Sequence, residues 1–264
     1  MSYLDLNLEK EFLGKKIIVT GASKGLGAAA CQALAERGAK IAMLSRSKKA
    51  MEKLKNKLKN PSNHTSIKVD LLKNNEIKLA IKKAKKFLKK IDIVLHVAGG
   101  GFGLKKALIK DKDLNTLLQV NIGAAAEINR LVVDGKINQQ FLKLVHVGSI
   151  ASNEAVASVG YNVAKSALSA YVRSLGRELY KNNVIVTGIL PGGFIAPGNA
   201  MERLKLKNLK DYKKFIKERI PRGLMGTANE ILPMILFLCS QHSSMMGGCL
   251  VPIDAGESKN YQID

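Results

Sequence analysis

Seven short runs of β-branched or otherwise apolar residues recur along the chain: KIIVT (16–20), AKIAMLS (39–45), TSIKV (65–69), IDIVLHV (91–97), FLKLVHV (141–147), NVIVTGIL (183–190) and CLVPI (249–253). Their length and composition predict strands. Between the first six lie stretches of helical length, such as 51–60, 77–90 and 158–180, in which apolar residues return every three or four positions. The chain thus repeats strand, helix, strand. Right-handed crossovers turn that repetition into a doubly wound, seven-stranded parallel sheet with helices on both faces. No linker, composition break or solenoid-length repeat interrupts it, which predicts one domain over residues 1–264. The long departure runs over 192–226, where Pro191, Pro197 and Pro221 bracket a lysine-rich helical stretch at 201–218. An insertion beyond the carboxyl end of a strand is placed to cover a substrate, so residues 193–226 are the candidate lid.

A hydrophobic fraction of 46% in 264 residues supports a substantial core and excludes a disordered chain. Cys31, Cys239 and Cys249 have no CxxC spacing and no nearby histidine cluster, so no metal is expected and they read as reduced packing residues. The first residues lack the apolar core of a secretory signal. The longest apolar run, 231–239, contains Pro233 and falls well short of the ~20 residues that span a bilayer. A cytoplasmic location with no membrane partner is therefore expected. The formal charge of +22 raises nucleic-acid binding as a function. Most of the excess, however, sits as lysines on the polar faces of amphipathic stretches. Aromatic content is only 5% and no nucleic-acid motif occurs, so no specific nucleic-acid partner is expected.

Directly after the first strand comes TGASKGLG, with Gly21, Gly25 and Gly27 opening a helix. A strand-to-helix turn of this kind needs residues without Cβ where backbone approaches a pyrophosphate, and the helix N-terminus then offers free N–H groups to the anion. This Rossmann-like setting predicts a dinucleotide site built from Gly21, Ser23, Lys24, Gly25, Leu26 and Gly27. An acid at the end of the second strand would bind the ribose 2′-hydroxyl of NAD(H). Ser45 stands there instead, followed by Arg46, whose planar guanidinium suits a phosphate. NADP(H) is the expected cofactor, with NAD(H) disfavoured.

The segment VGSIASNEAVASVGYNVAKSALSAY places Tyr161 and Lys165 four residues apart in the helical stretch 158–180, hence on one face. A neighbouring ammonium, like an oxidised nicotinamide, favours phenolate and tunes Tyr161 toward acid/base work. Ser149, just past the fifth strand, can hydrogen-bond the reacting oxygen.

The T-G-x-x-x-G-x-G loop, Asn121 in LLQVNIGAA, Ser149 and the YxxxK pair occur in the order that resembles the short-chain dehydrogenase/reductase family, and the resemblance runs over about residues 14–256. It implies interconversion of a carbonyl and an alcohol. Asn121, Ser149, Tyr161 and Lys165 form the catalytic set, Lys165 holds the nicotinamide ribose, and Asn121 positions a water that links Lys165 to solvent. It also assigns Asp70 and Leu71 to the adenine and Ala98 and Gly99 to close backbone approach. Pro191, Gly192 and the Phe194 backbone fall to the nicotinamide end, and Lys24 pairs with Arg46 at the 2′-phosphate.

The chain departs from the family's pattern in three places. His96 and Val97 replace two asparagines, with His96 read as structural. Ala196 replaces a threonine often found for the carboxamide, and Ser149 precedes Tyr161 by twelve residues rather than thirteen. Family members commonly assemble as dimers or tetramers, which implies a homotetramer here. The lid, with Phe194, Ile195, Met201, Leu204 and Leu206 beside many lysines, suits a partly apolar substrate, a 3-oxoacyl conjugate or a sugar derivative. The competing reading, a regulatory protein that only binds the dinucleotide, has no need of the intact Asn, Ser, Tyr and Lys set.

Overall fold

The computed structural model describes residues 7–134 and 141–260. The start of the chain, on which the expectation about export partly rests, lies outside them. All seven expected strands form: β1 (Lys16–Thr20), β2 (Lys40–Ser45), β3 (His64–Lys68), β4 (Ile93–His96), β5 (Leu142–Val147), β6 (Val184–Pro191) and β9 (Leu250–Ile253). They make one parallel sheet in the order β3-β2-β1-β4-β5-β6-β9. The order reverses between β1 and β4, where Ile17 pairs with Ile41 on one side and Ile93 on the other. A crevice opens beyond the carboxyl ends of strands at such a switch point.

Strand side chains alternate between faces, and here both faces are covered, which is why the strands read as unbroken apolar runs. Ile17, Val19, Met43, Leu95 and Val145 pack with helices α1 (Gly25–Glu36), α2 (Lys48–Lys55) and α9 (Ala228–Cys239). Ile18, Ala42, Leu44, Val94 and Leu144 pack on the opposite face with α3 (Asn74–Leu88), α5 (Ala124–Val133) and α6 (Val159–Leu179). Helix α6 lies closer to the sheet than a side chain would allow, since a Cβ on Gly176 would fall 2.3 Å from the Gly248 backbone nitrogen.

Several details differ from the pattern. The lid stretch expected as one helix is two, α7 (Ala200–Lys207) and α8 (Leu209–Arg219). Asn208 breaks them with φ −150° and ψ 89°, its side chain accepting the Asp211 N–H. An amide that caps the second helix cannot also continue the first. The segment expected as a lid is framed by a two-stranded parallel pair, β7 (Phe194–Ile195) with β8 (Gly226–Thr227), too short to register in a hydropathy pattern. Between α4 (Asp111–Leu118) and α5 the chain makes a π-helical turn, Gln119–Gly123. The lysines are not all on solvated faces. Lys143 and Lys165 are buried, and Lys143 is held by the Ser243 hydroxyl at 2.8 Å. All three cysteines are free, Cys31 and Cys239 in the core. Among the described residues no helix is long and apolar enough to cross a membrane, and no cluster of metal-ligating side chains occurs.

Candidate active site

The phosphate loop is close-packed around its glycines. Gly21 (φ +67°) lies under the β4 end, where a Cβ would meet the Ala98 nitrogen at 2.8 Å. Gly25 (φ +56°) faces the Pro197 carbonyl, and a Cβ on Gly27 would stand 2.3 Å from the Gly21 carbonyl oxygen. Thr20, buried at the end of β1, accepts the N–H groups of Val97 (3.2 Å) and Ala98 (3.3 Å), joining the β1 and β4 ends into one floor. The loop and the N-terminus of α1, with Leu26 buried beneath, form a cradle for a pyrophosphate. Ser45 at the end of β2 donates to Ser23 Oγ at 2.8 Å, so two hydroxyls sit where a ribose-binding acid would stand, and Arg46 beside them is exposed. Lys24 directly precedes the helix that Gly25 opens. Its side chain runs along Gly198 of the lid, where a Cβ would meet Lys24 Nζ at 2.7 Å. Asp70 Oδ1 accepts the Leu72 N–H, and the neighbouring Leu71 carbonyl receives Gln119 Nε2 at 3.2 Å.

The π-helical turn aims the Asn121 side chain inward. Its amide donates to the carbonyls of Leu117 (2.9 Å) and Gly100 (3.1 Å), and its Oδ1 accepts the Gly100 N–H (3.0 Å). One extra residue per turn buys this geometry, a device frequent at functional sites. Asn121 therefore braces the Gly99–Gly100 backbone. A Cβ on Gly99 would lie 2.8 Å from Asn121 Oδ1 and 3.3 Å from Lys165 Nζ, so glycine leaves this floor open.

Helix α6 presents Tyr161 and Lys165 together, with the Lys165 ammonium 5.7 Å from the centre of the Tyr161 ring. Lys165 Nζ donates to the Val147 carbonyl at 2.9 Å, and burial pushes its pKa down to about 8. Burial raises the Tyr161 pKa, opposed by a hydrogen bond with Ser149. Burial thus favours the phenol in the protein alone, while the Lys165 ammonium and an oxidised nicotinamide would pull toward the phenolate. Ser149 begins a short turn, accepting the Ala151 N–H at 3.2 Å. At the far wall, Pro191 ends β6. Gly192 presses against Asp254 and Glu257, and the Phe194 carbonyl accepts Asn199 Nδ2 at 2.7 Å.

Several contributors escaped sequence reasoning. Gly101 lies against Tyr161, where a Cβ would meet the ring at 3.6 Å. His96 is structural, as expected, but its partners were not foreseen. Its ring stacks on His146 at 4.6 Å, and Asn129 joins the two imidazoles through bonds of 2.8 and 3.2 Å while also reaching the Tyr171 hydroxyl at 3.1 Å. Only the His-Val pair repeated at the ends of two strands, in HVAG and HVGS, hints that these rings could meet.

A parallel sheet with a glycine cradle at its switch point, and a Tyr-Lys pair on one face of the helix alongside, defines a dinucleotide-dependent oxidoreductase. A family model described as enoyl-(acyl carrier protein) reductase matches residues 21–258, and the chain belongs to the short-chain dehydrogenase/reductase family. The chain is 26% identical to a 3-oxoacyl-[acyl-carrier-protein] reductase of Aquifex aeolicus, with 94% of this chain and 99% of the relative covered. It is 27% identical to a glucose 1-dehydrogenase of Gluconobacter oxydans, covering 93% and 92%. Its fold is similar to that of L-sorbose reductase from Gluconobacter frateurii, solved with NADPH and L-sorbose, at TM-score 0.86 and 24% identity over 96% of this chain and 100% of that one.

Proposed function

We propose that this chain is an NADP(H)-dependent oxidoreductase that interconverts a carbonyl and a secondary alcohol, with Tyr161 as the general acid/base. The observation that carries the reading is the convergence of Tyr161 and Lys165 from α6 and Ser149 from the turn after β5 beside the open Gly99 floor. Bound NADP(H) supplies or accepts the hydride. The glycine cradle fits its pyrophosphate, and Ser23, Ser45 and Arg46 offer hydroxyls and a guanidinium, with no carboxylate, at the place of the 2′-phosphate.

In the reducing direction Tyr161 donates its proton to the developing alkoxide, and Ser149 hydrogen-bonds the same oxygen and orients it. A phenol kept protonated by burial is the species that this direction needs. Oxidation needs the phenolate and gains at alkaline pH. Lys165 would hold the nicotinamide ribose. Asn121 braces the Gly99–Gly100 backbone beside Lys165. The reading extends to a 3-oxoacyl conjugate or a sugar derivative as substrate, classes named among the relatives, and to a cytoplasmic homo-oligomer.

NADPH oxidation measured against a panel of ketones, acyl thioesters and ketoses tests it, with Tyr161→Phe as the control. Turnover with at least one class is expected, and the variant should lose roughly 10²–10⁴-fold in kcat while cofactor affinity stays near that of the parent. Tight cofactor binding with no turnover on any class would favour a regulatory dinucleotide-binding protein instead.

A further inference from the structure

The lid and the nicotinamide end of the site meet on one buried carboxylate that the assignments above leave unused. Glu257 follows β9 and its side chain is only 2% exposed. Oε2 accepts the Gly193 backbone N–H, while Oε1 lies 2.6 Å from Nη2 of Arg219, the last residue of α8. Two successive glycines make this possible: a Cβ on Gly192 would stand 2.7 Å from Glu257 Oε2, and one on Gly193 3.2 Å. Arg219 is itself fixed, donating to the Val156 carbonyl at 3.0 Å and lying 5.0 Å over the Phe215 ring, and a Cβ on Gly193 would touch that same ring at 3.1 Å.

The groups facing Glu257 are Arg219 and the Gly193 N–H on one side, and the Asp254 and Glu154 carboxylates on the other. Glu154 in turn binds the N–H groups of Lys259 and Asn260, so the chain beyond Glu257 is tied to the loop that follows Ser149. A buried carboxylate beside two others is a costly way to fill space, and an apolar side chain would pack there at less expense. What the carboxylate provides is a polar connection between α8 and the Gly192–Gly193 backbone, beside the packing of Phe215 against Gly193.

We propose that Glu257 is a positioning residue that couples the placement of lid helix α8, through Arg219, to the Gly192–Phe194 segment that seats the nicotinamide. This rests on the NADP(H) reading of the site. Calorimetric titration of the full chain with NADPH, and separately with adenosine 2′,5′-bisphosphate, which carries the 2′-phosphate end but no nicotinamide, separates the two.

Glu257→Ala is expected to weaken NADPH binding roughly tenfold or more, as loss of a charged hydrogen bond would, while bisphosphate affinity stays within about twofold. Glu257→Gln keeps an acceptor for the Gly193 N–H and loses only the ion pair, so its NADPH affinity should fall between those of parent and alanine variant. Arg219→Leu should match it. Equal weakening of both ligands in Glu257→Gln, or unchanged NADPH affinity in Glu257→Ala, would overturn the coupling. A parent chain that binds neither ligand would overturn the NADP(H) reading, and the coupling with it.

Discussion

Acid should unfold this protein through two rings that refuse a proton. His96 and His146 are fully buried, stacked on one another and joined by Asn129. The groups facing them are Tyr171 from α6, the Thr187 carbonyl from β6 and, for His146, the Lys165 ammonium. Burial pushes the His96 pKa down from 6.5 to about 4, and burial, then the neighbouring His96, pushes that of His146 well below its ordinary value. Both are neutral in the folded chain at neutral pH, whereas the unfolded chain protonates them near 6.5. The unfolded state therefore binds more protons between pH 6.5 and 4, and stability falls as pH drops through that window.

For His96 alone the shift corresponds to about 3 kcal/mol, a large share of the ~5–15 kcal/mol that holds a typical domain together. Thermal unfolding followed by circular dichroism from pH 7 to 4.5 measures it. His96→Gln keeps a donor near the Nε2 position and cannot titrate, so its melting temperature should fall less steeply with acid, by roughly 6–12 °C across the window at ~2–4 °C per kcal/mol. Parallel curves for parent and variant would refute the reasoning, because they would mean that His96 accepts its proton as readily in the fold as out of it.

Replacing Gly27 with Ala drives a Cβ into the Gly21 carbonyl at 2.3 Å, with backbone on both sides, and should weaken NADPH binding at least tenfold in a fluorescence titration, at a stability cost of about 1–3 kcal/mol. The pair Ser45→Asp and Arg46→Ile puts a carboxylate where two hydroxyls now meet. It should move the ratio of kcat/KM for NADPH over NADH toward NADH by on the order of 100-fold, and a parent that already prefers NADH would show the 2′-phosphate reading to be wrong. Lys165 keeps its charge below about pH 8 and loses it above, so whatever its ammonium contributes to turnover should be present at pH 7 and fade toward pH 9. In Lys165→Met that limb of the kcat profile should vanish and cofactor affinity should fall, whereas a profile unchanged by the substitution would remove Lys165 from the chemistry.

The sheet was legible because its strands are buried on both faces and bounded by helices with a clear apolar stripe, so composition and period pointed the same way. The glycine loop was legible because its residues are contiguous and each steric demand is local. What stayed hidden depended on contacts between distant parts of the chain. Nothing near Lys143 announces that it points inward to Ser243, one hundred residues later, or that Asn129 will bridge histidines from two strands. The burial of Tyr161 is hidden for the same reason. Spacing on a helix brings a lysine close, but the desolvation that raises the Tyr161 pKa depends on how distant parts of the chain pack around it. The contact between Lys24 and Gly198 is hidden in the same way, because Gly198 belongs to a segment whose path no local pattern fixes.

Gly176 gives the helix that carries Tyr161 and Lys165 the mechanics of a lever. It lies eleven residues beyond Lys165, about 16 Å along the axis at 1.5 Å per residue, and it rests directly on the backbone at Gly248. Near the other end Gly160 leaves no more room, since a Cβ there would fall 2.5 Å from Ile109 Cδ1. The Gly248 contact is backbone, whereas the Ile109 contact is the tip of a side chain that can move, so the helix is fixed at its Gly176 end and tilts at the other. A methyl group added at Gly176 cannot be turned aside by a change of rotamer, so the displacement would appear at the far end as a swing of the phenol across the Gly99 floor. Sequence variation at this inconspicuous position, far from any bound ligand, would therefore register as altered turnover.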